Sequence, residues 1–319
     1  MLGLVDLFAG TGAFSIGFNE TGRVRTIFAN DIEATSKKIF DRNCEVPLTL
    51  GDINDLGVDT IPKMDILTGG FPCQPFSVAG LRKGFDDKRS NVFWTIMSII
   101  DKHEPRCVVL ENVKNLVGHD DGKTFEIIQQ EIKNRGYFIK YKVLNTSKVT
   151  NIPQNRERIY IVCFKDAAAA ELFEFPPEVD ELRPISDFLI PVDAQVPAKY
   201  YYGDNLKIWD IIKDDITKDV RRDNTIYQLR RKYVRENKKN VCPTLTANMG
   251  GGGHNVPLLR DSVGIRKLMP RECFNLQGFP ETYVLDGLSD TALYKLAGNA
   301  VSVGVVRKIA LAVIQALGM

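Results

Sequence analysis

The chain has 319 residues, of which 44% are hydrophobic and 26% charged, a composition typical of a globular protein with a sizeable core. Its formal net charge of +2 excludes a polycation, so any nucleic-acid surface must be local. Six cysteines without a C-x-x-C pair or a histidine cluster argue against a disulfide framework or a zinc site, and we expect free thiols and no metal. The absence of a long apolar run and of a signal-peptide pattern predicts a cytoplasmic protein without membrane contacts.

Short apolar runs alternate with helical patterns over residues 3–165. Six runs have the β-branched composition of strands, and they lie at 4–8, 25–30, 64–69, 106–112, 138–144 and 158–164. Between them, residues 91–103 and 124–136 carry apolar side chains at helical spacing, and Gly136 is expected to end the second helix. This order predicts an α/β fold, with a doubly wound, mostly parallel sheet wrapped by helices.

The pattern changes after a proline-rich turn at 173–184. The next residues are irregular and polar, with a basic segment at 227–240, before an amphipathic helical pattern returns at 292–318. That helical pattern has an apolar face that we expect to pack on the first domain. We therefore predict a catalytic, cofactor-binding domain of 1–183 plus 290–319, and a smaller, irregular, β-rich domain with its hinge over 184–289.

A glycine-containing loop, "DLFAGTGAF", joins the first strand to a helical pattern. Gly10 and Gly12 let a ligand approach the backbone, although a simple tight turn would also use them. In a doubly wound sheet this loop lies at the carboxyl edge, where an acid that ends the second strand binds ribose hydroxyls, and Asp31 occupies that position. The loop lacks the G-x-G-x-x-G spacing of nicotinamide enzymes, which favours a nucleoside cofactor without a diphosphate.

Cys73 follows "GGFP" at the carboxyl end of the strand at 64–69. A lone cysteine is most often a buried structural thiol. Here, however, the strand end faces the ligand crevice, Pro72 restricts the backbone, and the long segment that follows is rich in cations. An exposed thiol beside cations is a candidate nucleophile, so both interpretations are open.

Three more polar side chains lie at strand ends. Glu111 follows four apolar residues, so half-burial would raise its pKa and let it hold a proton near neutral pH; an N-cap or a surface acid fits equally well. Arg156 and Arg158 alternate at the mouth of another strand. One of them is expected to face the cleft and the other to face solvent or an ion pair.

Taken in order, "DLFAGTGAFSIGF", "GGFPCQPFS", "ENVKN", "QNRERIYIV", "RKLMPRECFNLQGFP" and "AGNAVSV" resemble the motifs of the prokaryotic, restriction-modification type of DNA (cytosine-5) methyltransferases. The resemblance covers nearly the whole chain except residues 184–240. It implies a Rossmann-like, S-adenosylmethionine-dependent catalytic domain and a target-recognition domain. The implied reaction transfers a methyl group to C5 of a flipped-out cytosine in a specific sequence of double-stranded DNA.

The resemblance also assigns roles to residues. Cys73 would attack C6 of the base and form a covalent adduct, Glu111 would donate to N3, Arg158 would hold O2, and Arg156 would support the site. The cofactor-binding residues that it implies are Phe8, Gly10, Thr11, Gly12, Asp31, Ile32, Asp52, Ile53, Pro72 and Asn299. Of these, Thr11 and Ile32 depart from the residues common in the family.

The expected DNA contacts fall in two segments. Residues 74–92 suit a lid that closes over the extruded base, and the basic segment 227–240 suits phosphates and base edges. A solvated loop and a solvated face are the plain alternatives. The residues expected to contact DNA are Ser77, Arg82, Lys83, Arg89, Arg230, Arg231, Arg235, Thr244 and Leu245.

Other functions compete with this one. An RNA (tRNA) cytosine-5 methyltransferase would use the same apparatus, although a separate glycine-rich recognition domain favours duplex DNA. A nicotinamide-dependent oxidoreductase explains the glycine loop and Asp31 but leaves Cys73 and Glu111 unexplained as a set. A catalytically silent DNA-binding relative is disfavoured by the intact Pro-Cys and Glu-Asn-Val motifs. We expect a monomer, since one domain pair that clamps one base needs no partner subunit, and a cognate restriction endonuclease as a partner in the same system.

Overall fold

The computed structural model of the protein describes residues 1–72, 91–191, 196–203, 209–230, 233–251 and 255–319. The chain divides into two compact units. The first unit is Met1–Leu144, Glu157–Pro177 and Val305–Met319, and the second is Asn145–Arg156 and Glu178–Gly304.

The strands and helices are numbered in chain order. The strands are β1 (Leu2–Leu7), β2 (Val24–Asp31), β3 (Leu48–Leu50), β4 (Ile66–Gly70), β5 (Cys107–Val113), β6 (Phe138–Asn145), β7 (Glu157–Phe164), β8 (Tyr227–Leu229), β9 (Val234–Glu236), β10 (Leu258–Arg260) and β11 (Ile265–Lys267). The helices are α1 (Ala13–Asn19), α2 (Ala34–Asn43), α3 (Asn91–His103), α4 (Lys123–Asn134), α5 (Thr146–Val149), α6 (Ala167–Leu172), α7 (Trp209–Asp219), α8 (Pro270–Leu276), α9 (Asp290–Asn299) and α10 (Val303–Ala316).

The first unit is built on a seven-stranded sheet in the order β3-β2-β1-β4-β5-β7-β6. Neighbouring strands from β3 to β5 are parallel, and β7 runs antiparallel to β5. The predicted fold class and the six predicted strands are confirmed. The sequence did not predict β3, because a strand of three residues is too short to show a pattern.

Helices cover this sheet through apolar faces at the predicted spacing. Ile96 and Ile100 of α3 and Ile128 of α4 are buried with Leu67 and Val108 of the sheet. α4 ends as predicted: Gly136 has a φ of 76°, and its N–H donates to the Lys133 carbonyl at 2.9 Å. The left-handed conformation favours glycine there and satisfies a carbonyl of the last turn.

The C-terminal helix α10 packs in the first unit, as the sequence predicts. A Cβ added at Gly17 of α1 would lie 2.6 Å from Val306, so the two helices approach closely. The run Asp290–Ala316 is long and apolar enough to cross a membrane by length and composition alone, yet 61% of its apolar window is buried in the protein. Residues 300–302 also interrupt its helical geometry, as expected for two core helices.

The second unit contains a four-stranded antiparallel sheet in the order β11-β10-β8-β9. One face packs on α7 through Ile216, Val220 and Tyr227. Within β11, the buried Arg266 donates to both Asp261 at 2.8 Å and Glu272 at 2.7 Å. These partners satisfy the arginine, whose side chain is 1% exposed and would otherwise be an uncompensated buried charge.

The boundaries of the two units differ from those of the predicted domains. Residues 145–156, 178–183 and 290–304, which the sequence places in the catalytic domain, belong to the second unit. Hydrogen bonds explain the first difference: the Cys242 N–H donates to the Pro153 carbonyl at 2.7 Å, and the Gln154 amide donates to the Leu276 carbonyl at 2.6 Å. Such contacts over long sequence separations leave no local pattern in the chain.

Candidate active site

The loop between β1 and α1 adopts left-handed backbone conformations. The φ angles of Phe8, Gly10 and Gly12 are 54°, 54° and 77°. A Cβ at Gly12 would lie 2.8 Å from Cys44 Sγ, so glycine permits close packing against α2. At Gly10, in contrast, the nearest atom of the described residues to an added Cβ is the Phe8 carbonyl oxygen at 3.8 Å. The loop is therefore packed tightly on the Gly12 side, whereas the described residues leave room beside Gly10.

Asp31 ties the end of β2 to this loop. Its Oδ2 accepts from the Gly10 N–H at 2.8 Å, and its Oδ1 accepts from the Glu33 N–H at 2.8 Å. Burial of the carboxyl raises the pKa of Asp31 although these hydrogen bonds oppose the shift. Ile32, which follows it, is 63% exposed. The predicted ribose acid is thus held against the glycine loop, with an exposed apolar side chain beside it.

A second acid, Asp6, lies beneath the loop and was missed in the sequence. Its Oδ2 accepts from the Ser15 hydroxyl at 2.7 Å, and its Oδ1 accepts from the Thr68 hydroxyl at 2.9 Å. The carboxyl therefore joins β1, α1 and β4. Burial raises its pKa to about 6. The available signal was an acid inside an apolar strand, a position where a charge needs partners.

The other predicted cofactor residues lie mainly at the carboxyl ends of adjacent parallel strands. Asp52 follows β3 and accepts from the Asn54 N–H at 2.9 Å, whereas the side chain of Ile53 is buried in the core. Thr11 is buried in the glycine loop, and Pro72 is exposed after β4. Asn299 ends α9 in the second unit, where its side chain is exposed.

Glu111 and Arg158 form an ion pair. Arg158 Nε lies 3.1 Å from Glu111 Oε1, and the side chains are 17% and 10% exposed, respectively. The pair forms because β5 and β7 are adjacent and antiparallel, with Val113 opposite Arg158. Arg158 Nη1 also donates to the Glu157 carbonyl at 2.8 Å. The structure thus brings together two of the predicted catalytic residues, while Cys73 lies outside the described residues.

Arg156, for which the resemblance implies a supporting role, lies at a buried position. Its guanidinium is buried in the second unit and donates to the carbonyls of Leu245, Gly298 and Ala300 at 2.9, 3.2 and 2.6 Å. These contacts hold three backbone segments together and direct the guanidinium away from solvent. These are the contacts of a side chain that holds backbone segments in place, and the supporting role of Arg156 in the site stays a prediction.

The predicted DNA contacts divide into three groups. Arg230, Arg235 and Thr244 line one cleft of about 950 Å³ in the second unit. Leu245 is 1% exposed, so its predicted contact with DNA is wrong: its apolar side chain belongs to the core. Those that lie outside the described residues are Ser77, Arg82, Lys83, Arg89 and Arg231.

The cleft also contains polar residues that the sequence analysis did not select. Thr244 donates to the Asn155 carbonyl at 2.6 Å, which brings residues 145–156 to the cleft. That segment contributes Asn145, Lys148 and Asn155 to the lining. The sequence did not predict them, because hydrogen bonds between residues far apart in the chain bring this segment to the cleft and leave no local pattern.

The fold of the chain matches those of solved methyltransferases. The fold is that of a methyltransferase: the chain matches S. pombe Dnmt2 methyltransferase with a TM-score of 0.75 and 20% identity over 100% of both chains. It matches the Entamoeba histolytica methyltransferase EhMeth with a TM-score of 0.72 and 18% identity over 99% of both chains.

Sequence relatives are closer than these structures. The type II methyltransferase M.Bsp6I of Bacillus sp. (strain RFL6) is 48% identical, over 97% of this chain and 98% of its own. M.HaeII of Haemophilus aegyptius is 38% identical, over 99% and 93%. The family model for C-5 cytosine-specific DNA methylase matches residues 2–315. The chain belongs to this family and is a DNA (cytosine-5-)-methyltransferase, which confirms the predicted activity over the RNA and oxidoreductase alternatives.

Proposed function

We propose that the enzyme methylates cytosine within a specific sequence of double-stranded DNA, with S-adenosylmethionine as methyl donor and Cys73 as nucleophile. The observation that carries the proposal is the Glu111–Arg158 pair at the end of β5. The neighbouring strand β4 leads through Pro72 directly to Cys73. A carboxyl, a guanidinium and a thiol at adjacent strand ends are the groups needed to activate a cytosine ring.

The carboxyl ends of β1, β2 and β3 fit the nucleoside part of the cofactor. The side of the loop at Gly10 is open, and the nearby Asp31 carboxylate has acceptor capacity for ribose hydroxyls. Asp52 stands at the next strand end for the adenine. When bound, S-adenosylmethionine supplies an electrophilic methyl group. Pro72, which follows β4, would hold its amino-acid end in this proposal.

The protein residues then activate the base. The Cys73 thiolate adds to C6 of cytosine, which makes C5 nucleophilic, while Glu111 donates to N3 and withdraws electrons from the ring. Arg158 uses its Nε–H for Glu111 and an Nη1–H for the Glu157 carbonyl. The guanidinium has further N–H donors, and one of these donates to O2 of the base in this proposal. After methylation, water removes the C5 proton and the thiolate leaves C6.

The second unit is the target-recognition unit in this proposal. Arg230 and Arg235 are exposed at the cleft, where Lys148 and Lys239 add positive charge for phosphates. Asn155 and Gln228 offer amides suited to base edges. Extrusion of the cytosine from the duplex costs a few kcal/mol, about the scale that such contacts can offset.

The biological setting follows from the relatives. Their printed names identify them as type II methyltransferases, so we place this enzyme in a restriction-modification system with a cognate endonuclease. We propose that it acts as a monomer, in which the first unit supplies the catalytic groups and the second the DNA contacts. We place it in the cytoplasm, where its DNA substrate lies.

Bisulfite sequencing tests the proposal. DNA from bacterial cells that express the protein is expected to contain 5-methylcytosine at one short defined sequence. Cells that express Cys73→Ser at the same level are expected to have none. Unmodified DNA from cells containing soluble, folded wild-type protein would contradict the proposal, and so would methylation confined to RNA.

A further inference from the structure

We propose that Asn30 is a positioning residue that sets the distance between the acid for the ribose and the acid for the adenine. The proposal rests on the cofactor roles of Asp31 and Asp52 proposed above. Asn30 lies in β2, directly before Asp31, and is 1% exposed. Its Nδ2 donates to the carbonyls of Thr49 at 2.9 Å and Gly51 at 3.0 Å. The side chain thus reaches from beside one acid to the backbone just before the other.

The orientation of the Asn30 amide follows from its two partners. A carbonyl oxygen can only accept, so the NH₂ group must face both carbonyls. Each of its two N–H groups then has one acceptor. Because a buried polar group is costly unless it is hydrogen-bonded, this arrangement is strongly favoured over others. Both bonds end on the segment that leads from β3 to Asp52.

The backbone ladder between β2 and β3 does not make the second of these contacts. The Gly51 N–H donates to the Asp31 carbonyl at 3.0 Å, so a continued parallel ladder would bring the Glu33 N–H to the Gly51 carbonyl. The Glu33 N–H instead donates to Asp31 Oδ1 at 2.8 Å. The Asn30 side chain therefore supplies a donor to the Gly51 carbonyl at the point where the ladder stops.

Asn30 also contacts the glycine loop, but through its backbone. Its carbonyl accepts from the Ala9 N–H at 2.9 Å, one residue before Gly10. Removal of the Asn30 side chain leaves this bond in place and releases only the segment before Asp52. The effect should therefore fall on the adenine end of the cofactor and spare the ribose end.

Asp52 is held from its other side by a chain of two hydrogen bonds. Its Oδ1 accepts from the Asn54 N–H at 2.9 Å, and Asn54 Oδ1 accepts from the Thr95 hydroxyl on α3 at 2.6 Å. These bonds orient the carboxylate, whereas Asn30 fixes the backbone that carries it. A carboxylate can accept about four hydrogen bonds, so Asp52 has acceptor capacity for the exocyclic amine of adenine.

The test is the pair of dissociation constants, measured by calorimetry, for S-adenosylhomocysteine and S-inosylhomocysteine. The inosyl compound carries an oxygen in place of the adenine amine, so it cannot donate to Asp52 there. Wild type should prefer the adenosyl compound about 10- to 100-fold, the range for a hydrogen bond to a charged group. Asn30→Ala is expected to lose this preference because its affinity for the adenosyl compound falls, while its affinity for the inosyl compound changes less than about twofold.

Two comparisons separate this role from a general loss of stability. Asn275→Ala removes a side-chain bond of the same kind, to the Phe188 carbonyl in the second unit, and should keep the wild-type preference. Adding Asn30→Ala to Asp52→Ala should weaken S-adenosylhomocysteine binding no further, because Asn30 acts through Asp52. A general loss of packing would instead weaken binding of both compounds equally in Asn30→Ala.

The outcomes separate this inference from the proposed function. If wild type binds both compounds equally, the adenine role of Asp52 fails and this inference fails with it, whereas bisulfite sequencing still decides the methylation of DNA. If wild type prefers the adenosyl compound and Asn30→Ala keeps that preference, only the positioning role is overturned, and an additive loss in the double variant overturns it as well. If Asn30→Ala does not fold, Asn30→Ser, which keeps a polar group at the buried position, decides by the same criterion.

Discussion

The carboxyl ends of the main-sheet strands, called the sheet edge here, and the cleft of the second unit hold their polar side chains in different ways. At the sheet edge, Asp6, Asp31 and Glu111 are buried and bonded to neighbouring elements at 2.7–3.1 Å. At the cleft, Arg230 and Arg235 are exposed on a short hairpin. Bond-making chemistry needs fixed geometry, whereas contacts with DNA can tolerate side chains that adapt. Changes at the edge should therefore affect rate or stability sharply, and changes at the cleft should affect binding gradually.

The largest effect is expected for Glu111→Gln. The change keeps the size of the side chain but removes the ionisable acid and the ion pair with Arg158. We expect the single-turnover methylation rate to fall about 100- to 10,000-fold, the range typical of a lost general acid. DNA and cofactor affinities, measured by titration, should change little. A turnover rate equal to that of wild type would remove Glu111 from the mechanism.

Gly298→Ala tests whether the backbone around Arg156 in the second unit is packed as tightly as the backbone at the sheet edge. An added Cβ would lie 2.1 Å from the carbonyl carbon of Thr246. Because this neighbour is backbone and not a flexible side chain, relieving the overlap requires a backbone shift. We expect a loss of about 3 kcal/mol in the free energy of unfolding, measured by urea denaturation. Gly118→Ala is the control, since an added Cβ there would meet nothing within 4 Å among the described residues. Equal stabilities of the two variants would contradict the close approach.

Asp6 gives the sheet edge a defined pH dependence. Its pKa is about 6 in the folded protein against 3.8 for an ordinary aspartate, so the folded state retains a proton that the unfolded state releases. Its contribution to stability is therefore full below pH 3.8 and is lost as pH rises through 6. Between these values wild type should lose about 2 kcal/mol of unfolding free energy relative to Asp6→Asn. A difference between the two proteins that does not vary with pH would show that Asp6 is not buried as described.

The smallest effect is expected at the cleft. Arg230→Ala and Arg235→Ala should each weaken DNA binding and reduce the slope of log affinity against log salt by about 1 if the arginine contacts a phosphate. Loss of a base contact would instead reduce discrimination between the methylated sequence and an unrelated duplex. Fluorescence anisotropy over a salt series distinguishes these cases, with Arg25→Ala, exposed on β2, as the control. No change in either quantity would exclude the cleft as a DNA surface.

The same contrast explains what the sequence could predict. The strands of the main sheet and the Gly136 helix end have local patterns, and the ordered motifs identified the family. Glu111 and Arg158 were found because they stand at strand ends that hydrophobic runs mark clearly.

The sequence did not predict the features that long-range contacts decide. Arg156 precedes β7 by one residue, so strand alternation does not govern its direction, and its partners lie more than eighty residues away in sequence. Leu245 resembled a recognition residue, but packing in the second unit buries it. The cleft residues of 145–156 were missed for the same reason, since hydrogen bonds to residues near 242 fix that segment.

The most direct test of the central claim is identification of the residue that binds the base. Wild-type enzyme is incubated with S-adenosylmethionine and duplex DNA that carries 5-fluorocytosine at the methylated sequence, and the covalent complex is digested and mapped by mass spectrometry. We predict one modified peptide, with the base attached to Cys73, and none with Cys73→Ser. Attachment to another residue, or efficient methylation by Cys73→Ser, would contradict the account.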